Sequence, residues 1–334
     1  MTLLYAKILA NNGFDCRIGM WNIKKVGFQL KPFMPEGVPY DIINSPQKLL
    51  TFNIARYIFK HKPDVVFSSL PFTVKAIMMM KKYHILKAKT VIRECNMPSR
   101  QKKIVRDIAS KYYKYADAII AQTKEMGEEI VQVYGINPQK VHTIYNPTDK
   151  QLIDKAIKES AGLEKKYINY IGVGRVARQK DFMTMVKAFN IVHQDNPMTR
   201  LYIVGNYADD SVKRELDEYI ANNNLIENVI FTGFQDNPYK YINEADVFLL
   251  SSVKEGLPNV MLDAMYLKKS VVVTRSIPFI SQAVNEGVNG FTVEVGDYRG
   301  FADKMMEAAK LNVNEIFTDI NDSERQIVDL FISI

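Results

Sequence analysis

Short runs of consecutive apolar residues alternate with helical stretches along the whole chain. In residues 1–150 the runs are Cys16–Trp21, Asp64–Ser69, Thr90–Cys95, Ala118–Gln122 and Val141–Tyr145. Beyond them come Tyr167–Val173, Leu201–Val204, Val229–Thr232, Val247–Ser251, Ser270–Thr274 and Gly290–Val295. Most lack the apolar–polar alternation of a half-solvated strand, so they suit parallel strands covered on both faces. Pro46–Lys60, Asp181–Gln194, Asp210–Asn222 and Leu257–Leu267 read as the intervening helices. Strand–helix alternation with short turns predicts an α/β chain with doubly wound parallel sheets.

At 334 residues the chain is long enough for two such domains. Pro147 ends the Val141–Tyr145 strand pattern, because proline cannot donate to a ladder. The expected division is therefore a first domain over 1–147, a second over 148–322, and the start of a crossover helix over 323–334. The charged stretch Asp149–Lys166 reads as a bridging helix. Two cysteines, Cys16 and Cys95, cannot build a disulfide framework, and no apolar run approaches the length of a membrane span. A cytoplasmic protein, peripheral at the inner face of the cell membrane, is expected.

Charge is divided unevenly. Residues 1–150 hold 24 Lys+Arg and 11 Asp+Glu, a net of +13, while the remaining 20 and 26 leave −6 over 151–334. A basic half fits an anionic partner or plain solubility. Within it, Arg100–Tyr115 places Ile104, Val105, Ile108, Tyr112 and Tyr115 on one helical face and six cations on the other. Such a helix fits either anionic headgroups or a core with a solvated outer face. No nucleic-acid motif accompanies the charge.

Two motifs carry chemistry. Gly172–Asp181 follows a strand and leads into a helix, with Gly174 allowing close backbone approach and Arg175 and Lys180 supplying fixed positive charge. Arg offers a forked donor and Lys a point charge, a pairing suited to a diphosphate. The pattern is neither GxGxxG nor a P-loop. The second motif, Glu255–Met265, has Gly256 and Pro258 in a turn, then a helix whose N-terminus attracts phosphate. Glu255 precedes that helix, and Asp263 lies one to two turns inside it. His61, His84, His142 and His193 show no metal spacing.

The segments GVGRVARQKDFMTMVKAF and SSVKEGLPNVMLDAMYLKKSVVVT, with LYIVGN, VIFTGFQDN and VNGFTVEVGD at their spacing, resemble the retaining glycosyltransferases of family 4. IRECNMPS, YADAIIAQT and VHTIYNP are similar to the branch that builds bacterial surface polysaccharides and lipid-linked glycans. The resemblance spans Cys16 to Ser323 and implies two facing Rossmann-like domains, the GT-B fold. It implies that a hexose or N-acetylhexosamine is transferred from a nucleotide diphosphate sugar, UDP above all, to a glycan or polyprenyl-diphosphate-linked acceptor. Arg175 and Lys180 would hold the diphosphate, and Glu255 the transferred sugar. Gly174, Gly256, Leu257, Pro258 and Asn259 would line the donor site. Asp263 stands where the family has a second glutamate for the ribose hydroxyls. No metal and no other cofactor is implied.

Arg93, Glu94 and Asn96 are the acceptor-side candidates at a strand end. Met1–Ala10 reads as the helix that follows the family's opening strand, so that strand is expected to be missing. A UDP-sugar epimerase of the same architecture and a truncated binding-only remnant are the alternatives.

Overall fold

The computed structural model describes residues 1–21, 34–314 and 322–334. The chain forms two compact units: Met1–Pro147 with Asp319–Ile334, and Thr148–Thr318. The second division falls within 315–321, outside the described residues.

In the first unit α1 (Thr2–Asn11) leads to β1 (Ile18–Trp21) and β2 (Tyr40–Ile43). Then come α2 (Leu50–His61), β3 (Val65–Ser68), α3 (Pro71–Lys82), β4 (Lys89–Arg93) and α4 (Lys103–Tyr112). The series ends with β5 (Ala118–Ala121), α5 (Lys124–Tyr134) and β6 (Val141–Thr143). Strands β3-β4-β5-β6 form one parallel sheet and β1-β2 a second. Leu50, Ile54, Ile77, Ile108, Met126 and Ile130 place α2 to α5 around one core cluster. Tyr5, Ile8, Ile327 and Phe331 join a second cluster with the strand residues Val91, Ala118 and Ile120. Turn chemistry fixes the lengths: Thr123 caps α5 by accepting from Met126 N at 3.2 Å, and Gly135 ends it in the left-handed region.

The second unit contains α6 (Lys150–Ala156), β7 (Ile168–Val173), α7 (Phe182–Asp195), β8 (Thr199–Val204) and α8 (Asp210–Asn222). It continues with β9 (Val229–Gly233), α9 (Tyr239–Glu244), β10 (Val247–Leu250), α10 (Asn259–Tyr266) and β11 (Ser270–Thr274). Then follow α11 (Pro278–Ala283), β12 (Gly290–Val293) and α12 (Tyr298–Ala308). Its six strands are parallel, in the order β12-β11-β10-β7-β8-β9. The order reverses between β7 and β10, and in open α/β sheets ligands bind outside the carboxyl ends of the strands at that point. The last helix, α13 (Ser323–Ser333), belongs to the first unit.

One strand was passed over and one expectation is corrected. β2 was not legible, because Tyr40 and Ile42 are exposed and the strand is only four residues long. The bridging helix stops at Ala156 rather than reaching Lys166. Residues 160–163 instead wrap the Glu244 carboxylate, which accepts from Ser160 Oγ and from the N–H groups of Ala161 and Leu163.

Candidate active site

The site forms at the reversal point of the second unit's sheet, from the chain after β7 and the chain after β10. Gly174 follows β7, and its N–H donates to Val204 O at 2.9 Å. Gly205 sits opposite with φ +150°, and a Cβ there would lie 2.0 Å from Gly174 O. Only glycine permits that approach. Gly205 N in turn donates to Gly233 O at 2.8 Å, so the ends of β7, β8 and β9 converge. Beyond Gly174, Arg175 is exposed while Val176 is fully buried. This alternation holds the Arg175 side chain out from a fixed backbone.

A single tight turn, Arg178–Lys180, brings the chain to α7. Arg178 is occupied: its Nη2 donates to Glu215 Oε1 at 2.6 Å and to Ser211 Oγ at 3.1 Å. Asp181, in the left-handed region at φ 46°, caps α7 by accepting from Thr184 N and Oγ1. The Lys180 stem passes over Gly174, where a Cβ would come within 3.3 Å of Lys180 Cε. Its Nζ then donates to Glu255 Oε1 at 2.7 Å.

The second loop is fastened to the first by backbone. Val253 N donates to Gln179 O at 2.9 Å, and Gln179 Nε2 returns a bond to Lys254 O at 2.9 Å. Ser251 Oγ donates to Lys180 O at 3.0 Å. Glu255 is thereby placed nearly buried against Lys180. Leu257 and Pro258 are buried and anchor the turn, while Asn259 is exposed at the first position of α10. Pro258 provides no side-chain cap, which leaves the positive end of α10 suited to an anion.

Asp263 lies on the half-buried side of α10. Burial, and then the nearby Asp149 carboxylate, raise its pKa to about 7. Asp149 itself caps α6, accepting from Leu152 N at 3.1 Å. Tyr239, at the start of α9, is pushed above the ordinary phenol range by burial and by the same two carboxylates. The Asp209–Asp210 pair is a helix start, with Asp209 accepting from Ser211 N at 2.9 Å.

The structure therefore brings Gly174, Arg175, Lys180, Glu255, Gly256, Leu257, Pro258 and Asn259 onto two linked loops, with Asp263 further along the helix that the second loop starts. Sequence reasoning passed over Gly205, Gln179 and Ser251. Gly205 had a signal, a glycine directly after an apolar run as at Gly174. Gln179 and Ser251 had none, since their roles depend on contacts about 70 residues away in the chain.

The residues singled out at the end of β4 are arranged differently. Arg93 and Glu94 are buried in the first unit, and Asn96 is exposed. Arg93 Nη2 donates to Asn146 Oδ1, and Asn146 Nδ2 to Gln122 Oε1 at 2.9 Å. Glu94 accepts from Cys95 N, Asn96 N, Gln101 Nε2 and Tyr113 OH at 2.7–3.2 Å. These bonds hold a loop together, and the pair offers little surface to a ligand. In α4, Ile108, Ala109 and Tyr112 face the core, so the apolar side of this helix is already covered. Among the described residues, no helix is long and apolar enough to cross a membrane.

Residues 153–322 match the family described as glycosyl transferases group 1, and residues 27–152 match glycosyltransferase family 4. The chain is 30% identical over 226 residues to the N-acetylgalactosamine-N,N'-diacetylbacillosaminyl-diphospho-undecaprenol 4-alpha-N-acetylgalactosaminyltransferase of Campylobacter jejuni, covering 66% of this chain and 60% of that enzyme. It is also 30% identical over 249 residues to an uncharacterized glycosyltransferase of Methanocaldococcus jannaschii, covering 69% and 60%. The chain thus spans about 60% of the length of these relatives. Among solved structures, Anabaena HepE in complex with UDP-glucose superposes with a TM-score of 0.79 at 18% identity, covering 99% of this chain and 95% of that one. At that identity the likeness establishes a shared GT-B fold.

Proposed function

Since this chain belongs to the group 1 glycosyl transferases of family 4, we propose that it is a retaining enzyme transferring a hexose or N-acetylhexosamine from a UDP-sugar to a lipid-linked or glycan acceptor. The observation that carries the reading is Lys180 Nζ held 2.7 Å from Glu255 Oε1, beside the outward Arg175 at the sheet's reversal point. The names of similar proteins support the two substrates. The Campylobacter relative is named for a diphospho-undecaprenol-linked acceptor, and HepE holds UDP-glucose.

In this reading Arg175 and Lys180 bind the donor diphosphate, with the N-terminus of α10 as a further electropositive element. Lys180 has three N–H donors, so it can keep Glu255 while gaining a phosphate oxygen. Glu255 accepts from hydroxyls of the transferred sugar, and Asp263 from the ribose. The acceptor hydroxyl attacks C1 on the face from which the diphosphate departs. The C1–O bond breaks with its electron pair going to the phosphate oxygen, and a donor phosphate oxygen takes the hydroxyl proton. Fixed cations lower the barrier by stabilising the charge on the leaving UDP. Positive charge comes from side chains and a helix end, so no metal is needed in this scheme. We also propose peripheral contact with an anionic membrane surface, where a lipid-linked acceptor resides.

The test is a thermal melt with and without UDP. UDP raises the melting temperature of the native chain, and Arg175→Ala removes most of that rise. Absence of any shift with every nucleoside diphosphate tried counts against the reading.

A further inference from the structure

The outward side of α2 carries apolar residues that belong to none of the core clusters formed by the described residues. Leu50, Ile54 and Ile58 are the buried residues of this helix. At about 100° per residue, Phe52, Arg56 and Phe59 fall on the opposite side. Phe52 is 67% exposed and Phe59 51%, and Leu49 in the preceding turn is 53% exposed. Singly exposed apolar residues are ordinary, but here two phenylalanines two helical turns apart share one stripe with a leucine at its end.

The charge around that stripe identifies what it fits. Residues 44–63 contain Lys48, Arg56, Lys60 and Lys62 and no Asp or Glu. Arg56 lies between the two phenylalanines along the stripe, and Lys48 and Lys60 flank it, all exposed. Protein-facing patches deplete charge at their centre. A stripe that mixes cations with aromatic rings suits a headgroup boundary, where rings enter the acyl region and long cationic side chains reach back to phosphates.

We propose that the outward face of α2 docks on an anionic lipid bilayer, with Phe52 and Phe59 inserted and Lys48, Arg56 and Lys60 on the headgroups. One flank of α2 is tied to β2 and to the segment that follows it. Tyr57 OH donates to Asp41 Oδ2 at 3.2 Å, and Asn53 Nδ2 to Ser45 Oγ at 2.8 Å. α4 has the more basic sequence but offers only Ile104, at 56% exposure, because its other large apolar residues pack inward. The inference gives a place to the membrane contact proposed above. It is read by lipid binding without donor or transfer, so the two fail separately.

The experiment is co-sedimentation of the full chain with vesicles of phosphatidylcholine alone or mixed with phosphatidylglycerol. The native chain binds the mixed vesicles and is released by salt. Phe52→Ser with Phe59→Ser weakens binding about tenfold or more, while Ile104→Ser binds as the native chain does. Arg56→Gln with Lys60→Gln weakens binding to mixed vesicles and leaves binding to neutral ones unchanged. Melting curves show whether each variant is folded, and the glutamine pair tests the face independently of the serine pair. Equal binding by the serine pair, no binding by the native chain, or a dimer that the serine pair dissolves would each overturn the proposal.

Discussion

Lys180 Nζ donates to Glu255 Oε1 at 2.7 Å, joining two loops whose residues are 75 positions apart in the chain. The pair is only slightly accessible on the Glu255 side, so each charge depends on the other. Around it, three hydrogen bonds between the same loops fix the distance before any substrate arrives.

The pair should therefore behave as a unit. Lys180→Met leaves a nearly buried carboxylate without its cation and should destabilise the fold by about 1–3 kcal/mol. Adding Glu255→Gln to that variant should recover part of the loss, because the uncompensated charge is gone. Chemical unfolding of the two single variants and the double variant measures the coupling. Additive losses would show that the contact carries no net energy. Under the proposed function, Glu255→Gln alone should lower turnover about 100-fold or more with a small change in UDP binding.

Gly205→Ala tests the convergence of strand ends. The new Cβ would stand 2.0 Å from Gly174 O, against backbone that cannot yield without moving Arg175. A loss of about 2–4 kcal/mol in stability, with UDP binding reduced further than stability explains, is expected. Urea melts and a UDP titration at a temperature where the variant is folded separate the two effects. Unchanged binding would detach this backbone from the donor site.

Asp263 gives a pH signature. Its folded pKa of about 7 is raised, by burial first and Asp149 second, above the ordinary carboxylate value of 3.8. The folded state thus holds the proton more tightly than the unfolded state. The resulting stability is fully present below pH 4 and is lost as pH rises from about 4 through 7. Asp263→Asn removes this dependence and should gain about 2 kcal/mol relative to the native chain on going from pH 5 to pH 8. Melts of both proteins across that range provide the check, and parallel curves would contradict it.

Glu94 is expected to act on stability and not on the acceptor. Its carboxylate receives four hydrogen bonds in a buried loop, and burial raises its pKa. Glu94→Ala should cost about 3 kcal/mol by orphaning buried donors. Activity per folded molecule should be retained, with no selective rise in the acceptor KM. A rise in acceptor KM without loss of stability would return Glu94 to the acceptor site.

The sequence determined the α/β class, and it located the strands that are buried on both faces. Val271, Val272 and Val273 are fully buried in β11, as an unbroken apolar run requires. It also marked the two motifs of the candidate site, because glycine, proline and charged residues at a strand end are local features. What it could not show is which charges are free to meet a ligand. Arg175 and Arg178 look equivalent in the motif, yet Arg178 is tied to Glu215 and Ser211 on the next helix. Arg93 and Glu94 stand at a strand end where a ligand could be met, yet both are buried, Arg93 against the distant Asn146 and Glu94 within the loop that follows it. The α4 sequence fits either a headgroup surface or a core with a solvated outer face; its apolar face is in the core, while Phe52 and Phe59 stand exposed on α2. In each case the deciding fact is which side of an element faces its neighbours, and tertiary packing sets that through contacts distant in sequence. Periodicity shows that a helix has an apolar side; only the packed fold decides whether that side, or the one opposite, meets solvent.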